Sequence, residues 1–227
     1  MSEHSLTRAP TTRPMRTASS KNKAASASET KQKIVDATLA IAAEKGFDQA
    51  TTAEIARKAG VAEGSIYNYF RTKDDLLIHT VTCFAGSYLS ALVDALSNEP
   101  PGLQKLDRLI SFHFHFFTKE GNIFQIIYGK RPGAKVQMAR ILHVAVAPYA
   151  SLIAGVISEG IELGRIKKVD PQIAASFLLG GMQLTLLRRY FDPGTFSPEQ
   201  AVDEIKQIYL EGLLQVRQQG KEQEHER

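Results

Sequence analysis

The sequence predicts an all-α protein, built as a small N-terminal helical unit followed by a larger helical body. Apolar residues recur at the three- and four-residue spacing of a helix face from Lys33 almost to the C-terminus. The periodic segments are divided by residues that stop helices: Gly60, Pro100-Pro101-Gly102, Gly121, Pro132-Gly133, Asp170-Pro171 and Asp192-Pro193-Gly194. No stretch has the alternation of a half-buried strand.

Each element has its own warrant. A first helix is expected over KIVDATLAIAAEKG, Lys33 to Gly46. Thr51 and Glu54 stand at the spacing of a capping box, and Ile55, Ala56 and Ala59 continue as an apolar stripe that Gly60 ends. Val61 fills the turn. The next helix begins near Glu63 and turns Ile66 and Phe70 to the core. Its other face carries Glu63, Ser65, Tyr67, Asn68 and Tyr69. Small Ala56 and Ala59 let these two helices cross closely. From Leu76 the expected helices are 76–97, 103–119, 122–130, 134–163, 171–191 and 198–217, and the last residues, QQGKEQEHER, form a polar end.

Two short helices, a tight glycine turn and a third helix start, all within TTAEIARKAGVAEGSIYNYFRTKDDLL (51–77), make a helix-turn-helix, a device that lays one helix in the major groove of DNA. With its sub-motifs T-x-x-x-I-A, A-G-V, G-S-I-Y-x-Y-F and K-x-x-L in order, this block resembles the TetR family of bacterial transcriptional regulators. The resemblance implies phosphate contacts from Thr52, Tyr67, Tyr69 and Lys73. It places Glu63, Gly64 and Asn68 near bases, with the Ser65 hydroxyl doing the work of a threonine. Glu63 is acidic where a basic residue would be easier to explain; its expected role is to favour the N-terminus of its helix, the alternative being to accept from a cytosine amine.

Four segments follow from these readings: a disordered basic arm (1–28), the helix-turn-helix unit (29–75), a helical effector-binding and dimerisation unit (76–217) and a polar tail (218–227). Residues 1–28 hold five of the 28 basic residues and one of the 24 acidic ones, so the formal charge of +4 belongs entirely to this arm. Such an arm can strengthen DNA binding through phosphates, or be a solubilising leader. The hydrophobic share of 43% is ample for a core, and no run is expected to span a bilayer. A single cysteine, Cys83, excludes an internal disulfide and suits a reducing compartment, so the expected location is cytoplasmic.

No nucleophile–base pairing, phosphate loop or metal constellation is legible, so the chain reads as neither an enzyme nor a cofactor protein. His113 and His115 are two apart and point to different helix faces, which excludes a local metal pair. His113 is expected inside the core or at a pocket wall. An apolar effector pocket is expected between Leu109, His113, Phe116, Phe117, Phe124, Ile127 and Tyr128 on one side and Met138, Ile141, Leu142 and Tyr149 on the other. The last two helices present Phe177, Leu178, Gly181, Met182 and Thr185, and Ile205, Ile208, Tyr209, Gly212 and Leu213, as faces for a homodimer.

A symmetric dimer calls for a palindromic operator in double-stranded DNA. The expected function is a ligand-responsive repressor released by a small apolar effector, with the helix from Leu76 to Ser97 as lever. The stretch ISEGIELGRIK (157–167) is similar to fatty-acid-responsive members, which puts a long-chain acyl-CoA first, ahead of hydrophobic drugs and aromatic metabolites. The alternative is a DNA-binding protein whose larger unit engages a protein partner; a sealed core would favour it.

Overall fold

The computed structural model describes residues 17–119 and 139–213. Eight helices account for most of them: α1 Thr17–Lys45, α2 Thr52–Ala59, α3 Glu63–Tyr69, α4 Lys73–Leu96, α5 Leu103–Lys119, α6 Ala139–Glu162, α7 Pro171–Phe191 and α8 Pro198–Leu213. No strand occurs among the described residues. The helix expected over 122–130 lies outside them.

Helix α1 corrects one expectation. The arm read as disordered through Ser28 is helical from Thr17. Alanines and lysines make up half of residues 17–28, no Gly or Pro interrupts them, and Glu29 and Lys33 pair at 2.7 Å one turn apart. The second half of α1 is anchored by Ile34, Ala37 and Ile41 in the core, so extending it toward the N-terminus carries no nucleation cost.

The turn chemistry that follows is as expected. Thr51 Oγ1 accepts from Glu54 N–H, and the Glu54 carboxylate accepts from Thr51 N–H at 2.9 Å, closing the capping box. Lys45 donates to Glu54 at 2.6 Å, and these contacts hold the Glu54 carboxyl down near 2. Gly60 takes φ +69, the left-handed conformation that lets Val61 N–H return to the Ala56 carbonyl at 3.0 Å. At α4, Thr72 Oγ1 caps Asp75 N–H at 3.0 Å.

Two cores result. Ile34, Ala37, Ile41, Ala50, Ile55, Ala56, Ile66, Phe70 and Leu76 close the three-helix unit. The larger core starts at the next residue of α4, Leu77, and runs through Ile78, Val81, Tyr88, Leu92 and Leu96 to meet α5, α6 and α7. One helix therefore belongs to both units. Close helix approach is built at Gly160, where an added Cβ would lie 2.9 Å from Ile166 Cγ1 and 3.1 Å from Gly102 Cα.

A second correction concerns hydropathy. Helices α4 and α6 each contain an 18-residue window of mean hydropathy 1.6 and 1.8, long and apolar enough to cross a bilayer by composition alone. Here α4 runs between the other helices with Leu77, Val81, Leu92 and Leu96 buried, and α6 buries Ile153, Ala154 and Ile157. Within α6, Leu142–Val146 is wound as a π-helix, the wide turn often found where a helix borders a functional site.

Candidate DNA interface and effector cavity

Helix α3 is fixed from beneath by Ile66 and Phe70, 1% and 4% exposed, which leaves its opposite side to solvent. Tyr67, Gly64, Asn68 and Glu63 are exposed there, while Ser65 and Tyr69 are half-buried. Thr52 Oγ1 donates to Glu63 Oε1 at 2.8 Å and lies 3.4 Å from the Tyr67 hydroxyl. Three of the expected DNA-contacting residues, Thr52 at the start of α2 and Glu63 and Tyr67 one turn apart on α3, are thus brought into one cluster. Glu63 acts within it as the acceptor for Thr52, a cross-helix role that spacing along the sequence does not reveal.

Lys73 differs from the expectation of a cation presented at a helix end. Its Nζ donates to the Asp48 carbonyl at 2.9 Å and sits 5.0 Å from the centre of the Phe47 ring. It ties the start of α4 to the turn after α1, and Thr72 rather than an anion caps that helix.

A cavity of about 300 Å³ opens between α4, α5, α6 and α7. Of the expected lining, His113, Phe117, Ile141, Leu142 and Tyr149 are found in its wall. Leu109 is instead sealed in the core at 0% exposure, and Phe116 packs edge-on against Phe84 and Tyr88. Phe124, Ile127, Tyr128 and Met138 lie outside the described residues. Sequence reasoning missed the walls given by α4 (Val81, Phe84, Ala85, Tyr88) and by α7 (Ser176, Leu179, Gly180, Gln183). Both sets repeat at three to four residues; the sequence reading gave the first helix the role of lever and the second that of a pairing face, and assigned neither to the pocket.

The π-helical turn contributes Leu142, Ala145 and Val146 to the same wall. Among the described residues, none that lines the cavity carries a formal charge. Besides Ser176 and Gln183 on α7, the polar lining includes a three-residue cluster, in which the Tyr88 and Tyr149 hydroxyls lie 3.0 and 3.1 Å from His113 Nδ1. Burial pushes the His113 imidazole down to about 3, so it is neutral.

The pairing faces are partly corrected. Leu178, Met182, Tyr209 and Leu213 belong to the chain's own core, and the Tyr209 hydroxyl donates to the Ala174 carbonyl at 2.6 Å. Phe177 and Ile208 stand out in solvent at 75% and 70% exposure, with Gly181 and Gly212 exposed and Thr185 and Ile205 half-buried beside them. Ile173, Leu184 and Phe191, 71%, 61% and 69% exposed, extend the same side of α7. Because α7 is apolar on nearly every side, periodicity could not separate its inner stripe from its outer one.

Comparison with known proteins agrees with this architecture. Residues 34–80 match the profile described as bacterial regulatory proteins, tetR family, and residues 99–213 match that of the tetracyclin repressor-like C-terminal domain. The chain is 27% identical over 154 residues to the fatty acid metabolism regulator protein of Bacillus subtilis, covering 67% of this chain and 79% of that one. Over 87 residues it is 37% identical to the regulator BetI of Serratia proteamaculans, covering 37% of this chain and 43% of that protein. Among solved structures, FadR from Bacillus subtilis in complex with stearoyl-CoA superposes with a TM-score of 0.69 at 24% identity, over 80% of this chain and 98% of that one. With both of its units matched, the chain belongs to the tetR family of bacterial regulatory proteins.

Proposed function

We propose that this regulator is a repressor that binds a palindromic operator as a homodimer and is released when a small apolar effector fills the cavity. The observation that carries this reading is the path of α4. The helix starts at Lys73, directly after α3, and four of its residues form one wall of the cavity. A ligand wedged against Tyr88 and Phe84 therefore bears on the helix that sets the position of α3. Arg140, next to the π-helical wall, lies 3.7 Å from Asp75 in the first turn of α4 and gives a second connection. Only a difference in effector affinity between two positions of α4 is needed.

A long-chain acyl-CoA is the first effector to test. The described lining of the cavity is mostly apolar, and the named Bacillus relatives are a fatty acid metabolism regulator and a protein solved with stearoyl-CoA. An open cavity also argues against the sealed core expected of a purely protein-binding unit. We place the pairing surface on Ile173, Phe177, Leu184 and Ile208, exposed apolar residues on the last two helices. A cytoplasmic regulator without catalytic activity is consistent with Cys83, whose thiol is pushed up by burial and so is a poor nucleophile.

Nuclease footprinting on DNA immediately upstream of the protein's own coding sequence tests this reading. The expected result is a protected inverted repeat with half-sites about one helical turn apart, lost when palmitoyl-CoA is added. Protection that persists with palmitoyl-CoA removes the acyl-CoA assignment. Absence of any protected repeat there, and in a genome-wide selection of fragments, contradicts the operator reading.

A further inference from the structure

The polar centre of the cavity has a hydrogen-bond count that does not close. Tyr88, His113 and Tyr149 come from three different helices, and both hydroxyls converge on His113 Nδ1, at 3.0 and 3.1 Å. At most, one of these hydroxyls can in addition donate to the other. His113 Nε2 is buried and has no partner. A neutral imidazole carries one N–H and two tyrosines carry one O–H each, so the cluster holds three polar hydrogens.

Only two of these can be used internally. If Nε2 carries the proton, one hydroxyl donates to Nδ1, the other donates to the first hydroxyl, and Nε2–H is left over. If Nδ1 carries it, Nδ1 donates to one hydroxyl and one hydroxyl donates to the other, which leaves a tyrosine O–H. Either tautomer has one spare donor beside an apolar wall. A buried donor without a protein partner is costly, so a ligand that offers an acceptor to the cluster gains a hydrogen bond the fold itself does not supply.

We infer that the cavity selects apolar ligands bearing an uncharged acceptor, the carbonyl of a ketone, ester or thioester, and that the Tyr88–His113–Tyr149 cluster is the donor that recognises it. The inference rests on the proposed effector role of the cavity and narrows its ligand class. A carboxylate of the same chain length is disfavoured. No cationic residue is among the described lining, and an ion brought into such a site loses its hydration without a countercharge there. Among acyl compounds, the esterified or thioesterified form is therefore recognised ahead of the free acid.

The test is calorimetric titration of the full chain with 2-decanone and with decanoate at neutral pH, followed by the infrared carbonyl band of bound, carbon-13-labelled 2-decanone. The ketone is expected to bind at least about tenfold more tightly than decanoate. Its carbonyl band is expected below its position in hexane, the signature of an accepted hydrogen bond. In Tyr149→Phe, and separately in His113→Phe, that band is expected to move as the donor is rearranged. Equal or tighter binding of decanoate, or a bound carbonyl at its hexane frequency, overturns this inference and leaves the effector cavity standing. Failure of both probes to bind overturns it together with the cavity reading.

Discussion

At the residue scale, the chemistry is set by a few side chains whose partners are distant in sequence. Tyr67, at 53% exposure, gives its hydroxyl only a marginal contact of 3.4 Å with Thr52, so that hydroxyl is available to a phosphate. Tyr67→Phe is expected to leave stability unchanged and weaken operator binding by about 1 kcal/mol, about fivefold, in an anisotropy titration. His113 has the opposite signature. Its folded form takes up a proton only near 3, whereas the unfolded chain does so near the ordinary imidazole value, so between these the unfolded state binds more protons. Stability should therefore fall as pH is lowered through that window, by up to a few kcal/mol, and His113→Phe should flatten the slope in urea denaturation. An unchanged slope in the variant would assign the acid sensitivity elsewhere. The local signals were legible at this scale: Thr51, Glu54 and Gly60 act within a few residues of one another. The Lys73 contact with Asp48 and the His113 cluster were not, because their partners come from other turns and helices.

At the element scale, boundaries were legible where a stop residue marks them. Helices α5 and α7 run over the expected spans because Gly102, Pro171 and Asp192-Pro193-Gly194 bound them. The start of α1 was not legible, since residues 17–28 offer no stop residue and their polar composition suits a coil as well as an exposed helix. The π-helical turn of α6 also carries no pattern that distinguishes it from an ordinary helix. Two glycines separate conformational from steric demands. Gly60→Ala meets no neighbour within 4 Å and should cost about 1 kcal/mol, for its positive φ alone. Gly160→Ala has an unstrained φ but meets Ile166 and the Gly102 backbone, and should cost about 1–3 kcal/mol. Denaturant titrations of both variants check this; an innocuous Gly160→Ala would mean that α6 and the 102 turn can move apart.

At the scale of the whole molecule, α4 joins the two cores, and the exposed stripe of α7 lies beside the helix side that lines the cavity. Gly180 is in the cavity wall and lies between the exposed Phe177 and Leu184 along one face of α7, so the proposed pairing surface borders the cavity directly. Phe177→Glu is expected to give a folded monomer by sedimentation velocity with much weakened operator binding, since two recognition helices on one rigid body share the cost of docking. A dimer that survives this substitution and Ile208→Glu together would move the interface elsewhere. Sequence reasoning found the helices that form this surface but chose partly buried stripes, because a helix apolar all round does not announce its outer side.

The most direct test of the coupling between cavity and DNA is anisotropy of a labelled operator duplex titrated with the protein, with and without palmitoyl-CoA, in wild type and Ala85→Phe. The substitution fills the cavity from α4 without touching α3. Palmitoyl-CoA is expected to raise the wild-type Kd at least about tenfold and to leave the filled variant's Kd unmoved. Equal release of both proteins would show that the ligand acts outside this cavity and would contradict the account.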